Sequence, residues 1–313
     1  MDFLKIVSTN LFEKIMIFVI AIDPESIAIC GQQGPLGCDH LIGVLQALLQ
    51  NCLIAETCGT WRLSKEIKEA VKSIPDQGAR KKAVTMLEKL TDPNRYRFVD
   101  VIHGFEDNYE TGAGAILATQ TDNPELDVIV CEQNPTPGPV ETVSIVRFNQ
   151  SNFARTRSQK ACALVYAPGS RTACALLDEA FGRLVRHADK VTIFDRVMGK
   201  EFGGNYFDAL GHWCDFFRRT GRNVSVRFHT TRGQERSINN KLAEELDKSG
   251  VAFDVVVHEE GDQPHERFLR AGGFTLDIGR GIDLFDRNGD CRDVKIGLSD
   301  HGAFTREWGW LGE

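Results

Sequence analysis

The stretch His265-Glu-Arg-Phe-Leu-Arg-Ala-Gly-Gly-Phe-Thr-Leu-Asp-Ile-Gly-Arg-Gly-Ile-Asp-Leu-Phe285 decides the fold of the second half of the chain. Two short apolar runs, Phe268–Leu269 and Phe274–Ile278, are separated by glycines, the pattern of two short strands with a turn between them. Upstream the pattern is different. Ala161–Tyr166, Lys190–Phe194, Asn223–Phe228 and Val251–Val257 read as strands, and Thr172–Val185, Tyr206–Arg219 and Glu235–Lys248 read as helices between them. The first of these helices carries Ala173, Leu176, Leu177, Ala180, Phe181 and Leu184 on one face. Such alternation predicts right-handed crossovers and a largely parallel sheet. Downstream, Val294–Leu298 and Phe304–Trp310 predict antiparallel additions, with Trp308 and Trp310 sealing the end of the sheet.

The quoted stretch, with its His-x-Arg start, apolar hairpin and Gly-Arg-Gly-(apolar)-Asp-(apolar)-Phe finish, resembles the phospholipase-D-like domain that ends the MIT-domain proteins. Val191-Thr-Ile-Phe-Asp-Arg196, Ser249-Gly-Val-Ala-Phe-Asp254 and Asp293-Val-Lys-Ile-Gly-Leu298 extend the resemblance over about residues 160–310. It implies a mixed sheet flanked by helices. In the active members of the phospholipase D superfamily a His-x-Lys histidine attacks phosphorus, a lysine holds the non-bridging oxygens, and a second histidine from another copy of the motif protonates the leaving group. Here His265 stands in the nucleophile's place, Arg267 replaces the lysine, Gly272 holds the expected aspartate position, and Arg280 lies where a Gly-Ser is expected. With a single motif, a two-histidine site requires a homodimer. The resemblance thus implies phosphate binding by Arg267 and Arg280. It leaves open a phosphodiesterase or nuclease of degenerate motif, with His265 as catalytic residue, and a module that only binds. The plainer readings are a hydrogen bond from His265 to Glu266 or Asp262, and ion pairs from Arg267 and Arg280 to Asp277 or Asp283.

The first half reads as a separate α/β domain. Ile15–Ile22 is a central strand ended by Asp23-Pro24, and it is far too short to span a bilayer, which takes about 20 apolar residues. Asp39 caps a helix over Leu41–Cys52, and Ser64–Ser73 and Gly78–Leu90 are amphipathic helices. Arg97–Ile102, Leu126–Cys131 and Val143–Phe148 are further strands. Asn149–Gln159 is polar and lacks apolar periodicity, so the boundary belongs there. The expectation is an α/β chain of two domains, residues 1–150 of unknown role and residues 160–313, the latter phospholipase-D-like.

Composition narrows the function. Of 313 residues, 42% are hydrophobic and 26% charged, and the net charge of -7 argues against generic coating of nucleic acid. Between Thr60 and Asp100, however, ten Lys or Arg face six Asp or Glu. Arg80, Lys81 and Lys82, with Arg155 and Arg157 in the linker, are candidate nucleic-acid contacts; two solvated helix faces are the ordinary explanation. The nine cysteines follow no metal-ligand spacing and, with no signal peptide, read as reduced thiols of a cytoplasmic protein. Asp286-Arg-Asn-Gly-Asp290 lacks the remainder of a calcium loop and reads as a turn. No metal site or cofactor is expected, unless Asp23, Glu56, Asp100, Glu106, Asp107 or Asp127 make the first domain a metal-dependent catalyst. The favoured function is a phosphodiester-recognising protein directed at nucleic acid, in its sharp form a nuclease effector of a phage-defence system. The alternative is a non-catalytic phospholipid- or protein-binding module. Either acts as a homodimer or as a subunit of a larger complex.

Overall fold

A computed structural model of the chain describes residues 17–57, 62–92, 97–102, 125–132, 140–159, 163–201, 204–220, 224–233, 235–246, 251–259 and 267–299. It is a mixed α/β protein with two sheets, and the chain divides into two compact units after Ala161. Among the described residues no helix is long and apolar enough to cross a membrane.

The first unit is built on β1 (Phe18–Ile22), every residue of which is buried. Its neighbours are β2 (Cys52–Thr57) and β4 (Val128–Val130), and β3 (Phe98–Ile102) and β5 (Glu141–Val143) lie outside them, in the order β3-β2-β1-β4-β5, all parallel. The order reverses between β1 and β4, as in a doubly wound sheet. Helices α1 (Pro24–Gln32) and α2 (Pro35–Asn51) connect β1 to β2, and α3 (Arg62–Lys72) and α4 (Gln77–Leu90) connect β2 to β3.

Four readings of the sequence are corrected here. Helix α2 opens at Pro35 behind Gly34, not at Asp39, because a proline at the first helical position gives up no hydrogen bond. Strand β2 follows α2 without a linking residue; its Cys-Leu-Ile-Ala start continues the apolar pattern of the helix and hides the boundary. The strand expected over 143–148 is a turn after β5. Ile145 and Phe148 are both buried, but a spacing of three suits a turn rather than a ladder. The polar segment read as the boundary contains helix α5 (Asn152–Gln159), anchored by Phe153, whose ring meets Phe18 edge-on at 4.8 Å and Phe148 at 5.6 Å.

The second unit holds a seven-stranded mixed sheet. After β6 (Ala163–Tyr166) come helix α6 (Ala173–Leu177), a π-helical stretch Asp178–Gly182 and α7 (Arg183–Arg186). Next are β7 (Lys190–Phe194), α8 (Arg196–Glu201), α9 (Asn205–Arg219), β8 (Ser225–Thr231), α10 (Glu235–Leu246) and β9 (Ala252–His258). The expected hairpin is β10 (Phe268–Ala271) and β11 (Phe274–Asp277), followed by β12 (Val294–Ser299). The order is β6-β12-β11-β10-β7-β8-β9; β7, β8 and β9 are parallel, and β10, β11, β12 and β6 add antiparallel pairings. The helix α9 drives Trp213, Phe216 and Phe217 into the core, with Phe181 5.2 Å from Trp213. Phe304–Trp310, including both tryptophans, lies outside the described residues.

Candidate functional site

Strand β7 ends at Phe194, and the next residue, Asp195, is fully buried. Its Oδ1 accepts the backbone N–H groups of Val197 at 3.0 Å and Met198 at 3.3 Å, capping α8, and its Oδ2 accepts that of Ile282 at 2.9 Å. The carboxylate therefore fixes the loop Gly279–Phe285 against the end of the sheet. Trp213 reinforces the dock by donating its indole N–H to Ile282 O at 3.2 Å. Gly281 makes this close approach possible: a Cβ there would lie 1.9 Å from Asp195 Oδ2, and its φ is +70°.

The same loop anchors arginines. Arg267, just before β10, donates Nη1 to Gly279 O at 3.2 Å, and its Nε stands 3.6 Å from Asp195 Oδ1. Arg280 donates Nε to Asp283 O at 3.3 Å. Arg292 donates Nε to Phe285 O at 2.8 Å and Nη1 to Asp283 Oδ2 at 3.0 Å. Each guanidinium is thus seated on a different backbone carbonyl of one loop. Their side chains retain 26%, 42% and 23% of their surface for Arg267, Arg280 and Arg292.

Burial shifts the two carboxyls in the same direction. It pushes Asp195 above the ordinary carboxylate range, against the opposing pull of the Ile282 N–H, Arg267 and the α8 N–H groups. The opposition fails because the charge partner is long, at 3.6 Å, while desolvation is complete. Asp283 is raised by burial as well, with Arg292, Arg280 and Arg267 all pulling it down. Its Oδ1 is buried and has no hydrogen-bond partner among the described residues.

Beside this site two imidazoles meet on neighbouring strands. Asp195 N donates to His229 O at 2.9 Å. His229 Nδ1 and His258 Nε2 are 2.9 Å apart, with ring planes 13° apart and centroids separated by 5.1 Å. The centroid separation exceeds the nitrogen separation by about two ring radii, so the rings lie nearly end to end and share one hydrogen. Burial, then His258, Arg227, Lys190 and Arg270, depress His229 to about 3.

No family model matches this chain, and no curated protein does.

The structure brings Arg267, from before β10, and Arg280 onto carbonyls of one loop; His265 lies outside the described residues. Arg280 takes the expected partner Asp283, through a backbone bond and a 3.7 Å contact between Nη2 and Oδ2. Arg267 takes Asp195 instead of Asp277 or Asp283. Asp195 and Arg292 are absent from the residues the sequence singles out. Asp195 carries a signal, an aspartate closing a strand and opening a helix; Arg292 carries none. The remaining basic candidates fall in the first unit. Arg80 donates to Ile74 O at 3.4 Å, and Lys81 and Lys82 are exposed on α4. Arg155, on α5, donates to Gln150 O at 3.0 Å, and Arg157 is on the same helix.

Three of the acidic candidates of the first unit serve local structure, and a fourth, Asp100, is exposed on β3. Asp23 caps α1, accepting from Glu25 N, Ser26 N and Ser26 Oγ at 3.0, 3.1 and 2.6 Å. Glu56 accepts from Leu63 N at 2.9 Å and Ser64 N at 2.8 Å at the start of α3. Asp127 accepts from Val19 N at 2.8 Å. Glu106 and Asp107 are outside the described residues. Among the described residues no group of three or more His, Cys, Asp or Glu is placed to hold a metal ion. Cys30 donates to Gly37 O at 3.1 Å, its thiol pushed up to about 11 by burial. Asp286 Oδ1 accepts from Asn288 N at 2.8 Å and Asp290 N at 3.0 Å, closing a turn on Gly289.

Proposed function

We propose that the second unit recognises the phosphate of a phosphodiester, with nucleic acid as the ligand. The observation that supports this is the seating of Arg267 and Arg280 on backbone carbonyls of one loop, with guanidinium N–H groups left over among the described residues. A guanidinium fixed through one N–H offers its remaining edge to a phosphate with little further loss of freedom. The exposed lysines of α4, in the first unit, are a separate candidate surface for backbone phosphates. Cleavage, in the sharp form of a nuclease effector in phage defence, rests on His265 as a nucleophile with a second copy supplying the other histidine. The capping duties of Asp23 and Glu56 weigh against metal-dependent chemistry in the first unit.

The test is incubation of the protein with labelled single- and double-stranded DNA and RNA, with and without magnesium or manganese. Binding is read by anisotropy and cleavage on a gel. Arg280→Ala is the informative variant for binding, because Arg280 is half exposed and secured to its own loop. Arg267→Ala also strips the fully buried Asp195 of its charge partner and confounds binding with folding. Binding weakened in Arg280→Ala and cleavage lost in His265→Ala support the nuclease form. Binding without turnover under every condition leaves the recognition module, and the absence of binding to all four nucleic acids overturns the reading.

A further inference from the structure

Resting on that reading, we infer that the phosphate site is a cradle of three arginines, Arg267, Arg280 and Arg292, and that Asp283 is its built-in counter-anion, which the ligand phosphate displaces electrostatically. Three side chains from separate points of the sequence each donate to the loop, on Gly279 O, Asp283 O and Phe285 O. Asp283 lies among them. Arg292 reaches its Oδ2 at 3.0 Å, Arg280 stands at 3.7 Å, and the charge of Arg267 also acts on it. The carboxylate uses only one of its oxygens, and Oδ1 is buried without a partner among the described residues. A group placed there solely to build the loop would satisfy both oxygens. An anion in contact with two cations, Arg280 and Arg292, and incompletely satisfied among the described residues, is instead the arrangement of a site whose proper ligand is a better anion. A phosphate carries more acceptor oxygens and matches planar guanidinium forks. Each arginine also has its own carbonyl, so the carboxylate of Asp283 is not the sole anchor of any of them.

The experiment measures binding of a labelled oligonucleotide by the full chain at several salt concentrations, alongside Arg292→Ala, Arg292→Gln and Asp283→Asn. Removing one arginine–phosphate pair weakens binding about tenfold and lowers the slope of log affinity against log salt by about one. Arg292→Gln keeps a donor for Phe285 O and removes the charge, so it separates the missing phosphate pair from a misfolded loop. Asp283→Asn keeps the shape and an acceptor for Arg292 and removes the competing charge, so affinity rises about fivefold. An unchanged affinity and slope in both Arg292 variants, or a fall in Asp283→Asn, overturns the cradle. If the wild-type chain binds no oligonucleotide, inorganic pyrophosphate decides separately. Thermal stabilisation by pyrophosphate that disappears in Arg292→Gln supports the cradle while the nucleic-acid reading fails, and no stabilisation overturns both.

Discussion

Gly281 has no room for a methyl group. Its positive φ disfavours any side chain, and the Cβ position is occupied by the carboxylate of Asp195. Gly281→Ala therefore strains the backbone and pushes Ile282 N off a buried acceptor. The expected loss is about 2–4 kcal/mol of unfolding free energy in urea; a loss below about 0.5 kcal/mol would mean that the loop is not clamped as described. The sequence displays the Gly-Arg-Gly run but not what it faces, since Asp195 comes from a strand far upstream and no spacing links them. The pair His229 and His258 is illegible for the same reason: adjacency of β8 and β9 is a property of the sheet. His229 titrates at about 3 in the fold against an ordinary value near 6.5. The sign follows directly. The unfolded chain takes up a proton below about 6.5 that folded His229 refuses, so this contribution is intact above that pH and erodes as the pH falls towards about 3, at no more than about 1.4 kcal/mol per pH unit. Replacing His229 with Asn is expected to flatten the acid limb of stability between those limits, measured by urea titration at successive pH values. An unchanged limb would mean that His229 ionises freely in the fold.

At the level of elements, most of the chain is readable because period and punctuation agree. Asp23-Pro24 is legible as the end of the buried run of β1 but not as the start of α1, and the structure gives that aspartate three hydrogen bonds into the first turn of the helix. Asp23→Ala is expected to cost the first unit about 2 kcal/mol, the upper end for a missing cap, while Asp23→Asn, which retains an acceptor, costs less. Oligonucleotide affinity should stay constant in both variants, as Asp23 is outside the cradle. A metal-dependent activity abolished in Asp23→Asn without loss of stability would instead restore the catalytic reading of the first unit. What the sequence conceals has local causes. Strand β2 begins at the residue after α2 ends, so one apolar run serves two periods. Helix α5 is polar over most of its sequence and carries one large buried aromatic, Phe153, too little to register as an amphipathic pattern. The π-helical stretch Asp178–Gly182 leaves the spacing of Leu176, Leu177, Ala180, Phe181 and Leu184 helical in appearance, so the helix is legible and its bulge is not.

For the molecule as a whole, the decisive fact is that each sheet is built within its own unit. Among the described residues no strand of the parallel sheet pairs with a strand of the mixed one, and the division follows Ala161. The polar composition around 149–159 points near this place and misses it, because α5 belongs to the first core. Everything that seats the three arginines is also in the second unit: Asp195, the carbonyls of Gly279, Asp283 and Phe285, and the Trp213 indole on Ile282. A fragment beginning at Cys162 should therefore fold by itself, with a single cooperative unfolding transition and dispersed amide resonances. It should bind pyrophosphate within about twofold of the full chain, since no cradle group has been removed. Oligonucleotide binding is a separate measurement on the same fragment. If the lysines of α4 pair with backbone phosphates, the fragment's salt dependence falls by about one unit of slope for each phosphate no longer neutralised; if they are only a solvated helix face, the slope is unchanged. A folded fragment that fails to bind pyrophosphate would show instead that the first unit completes the site.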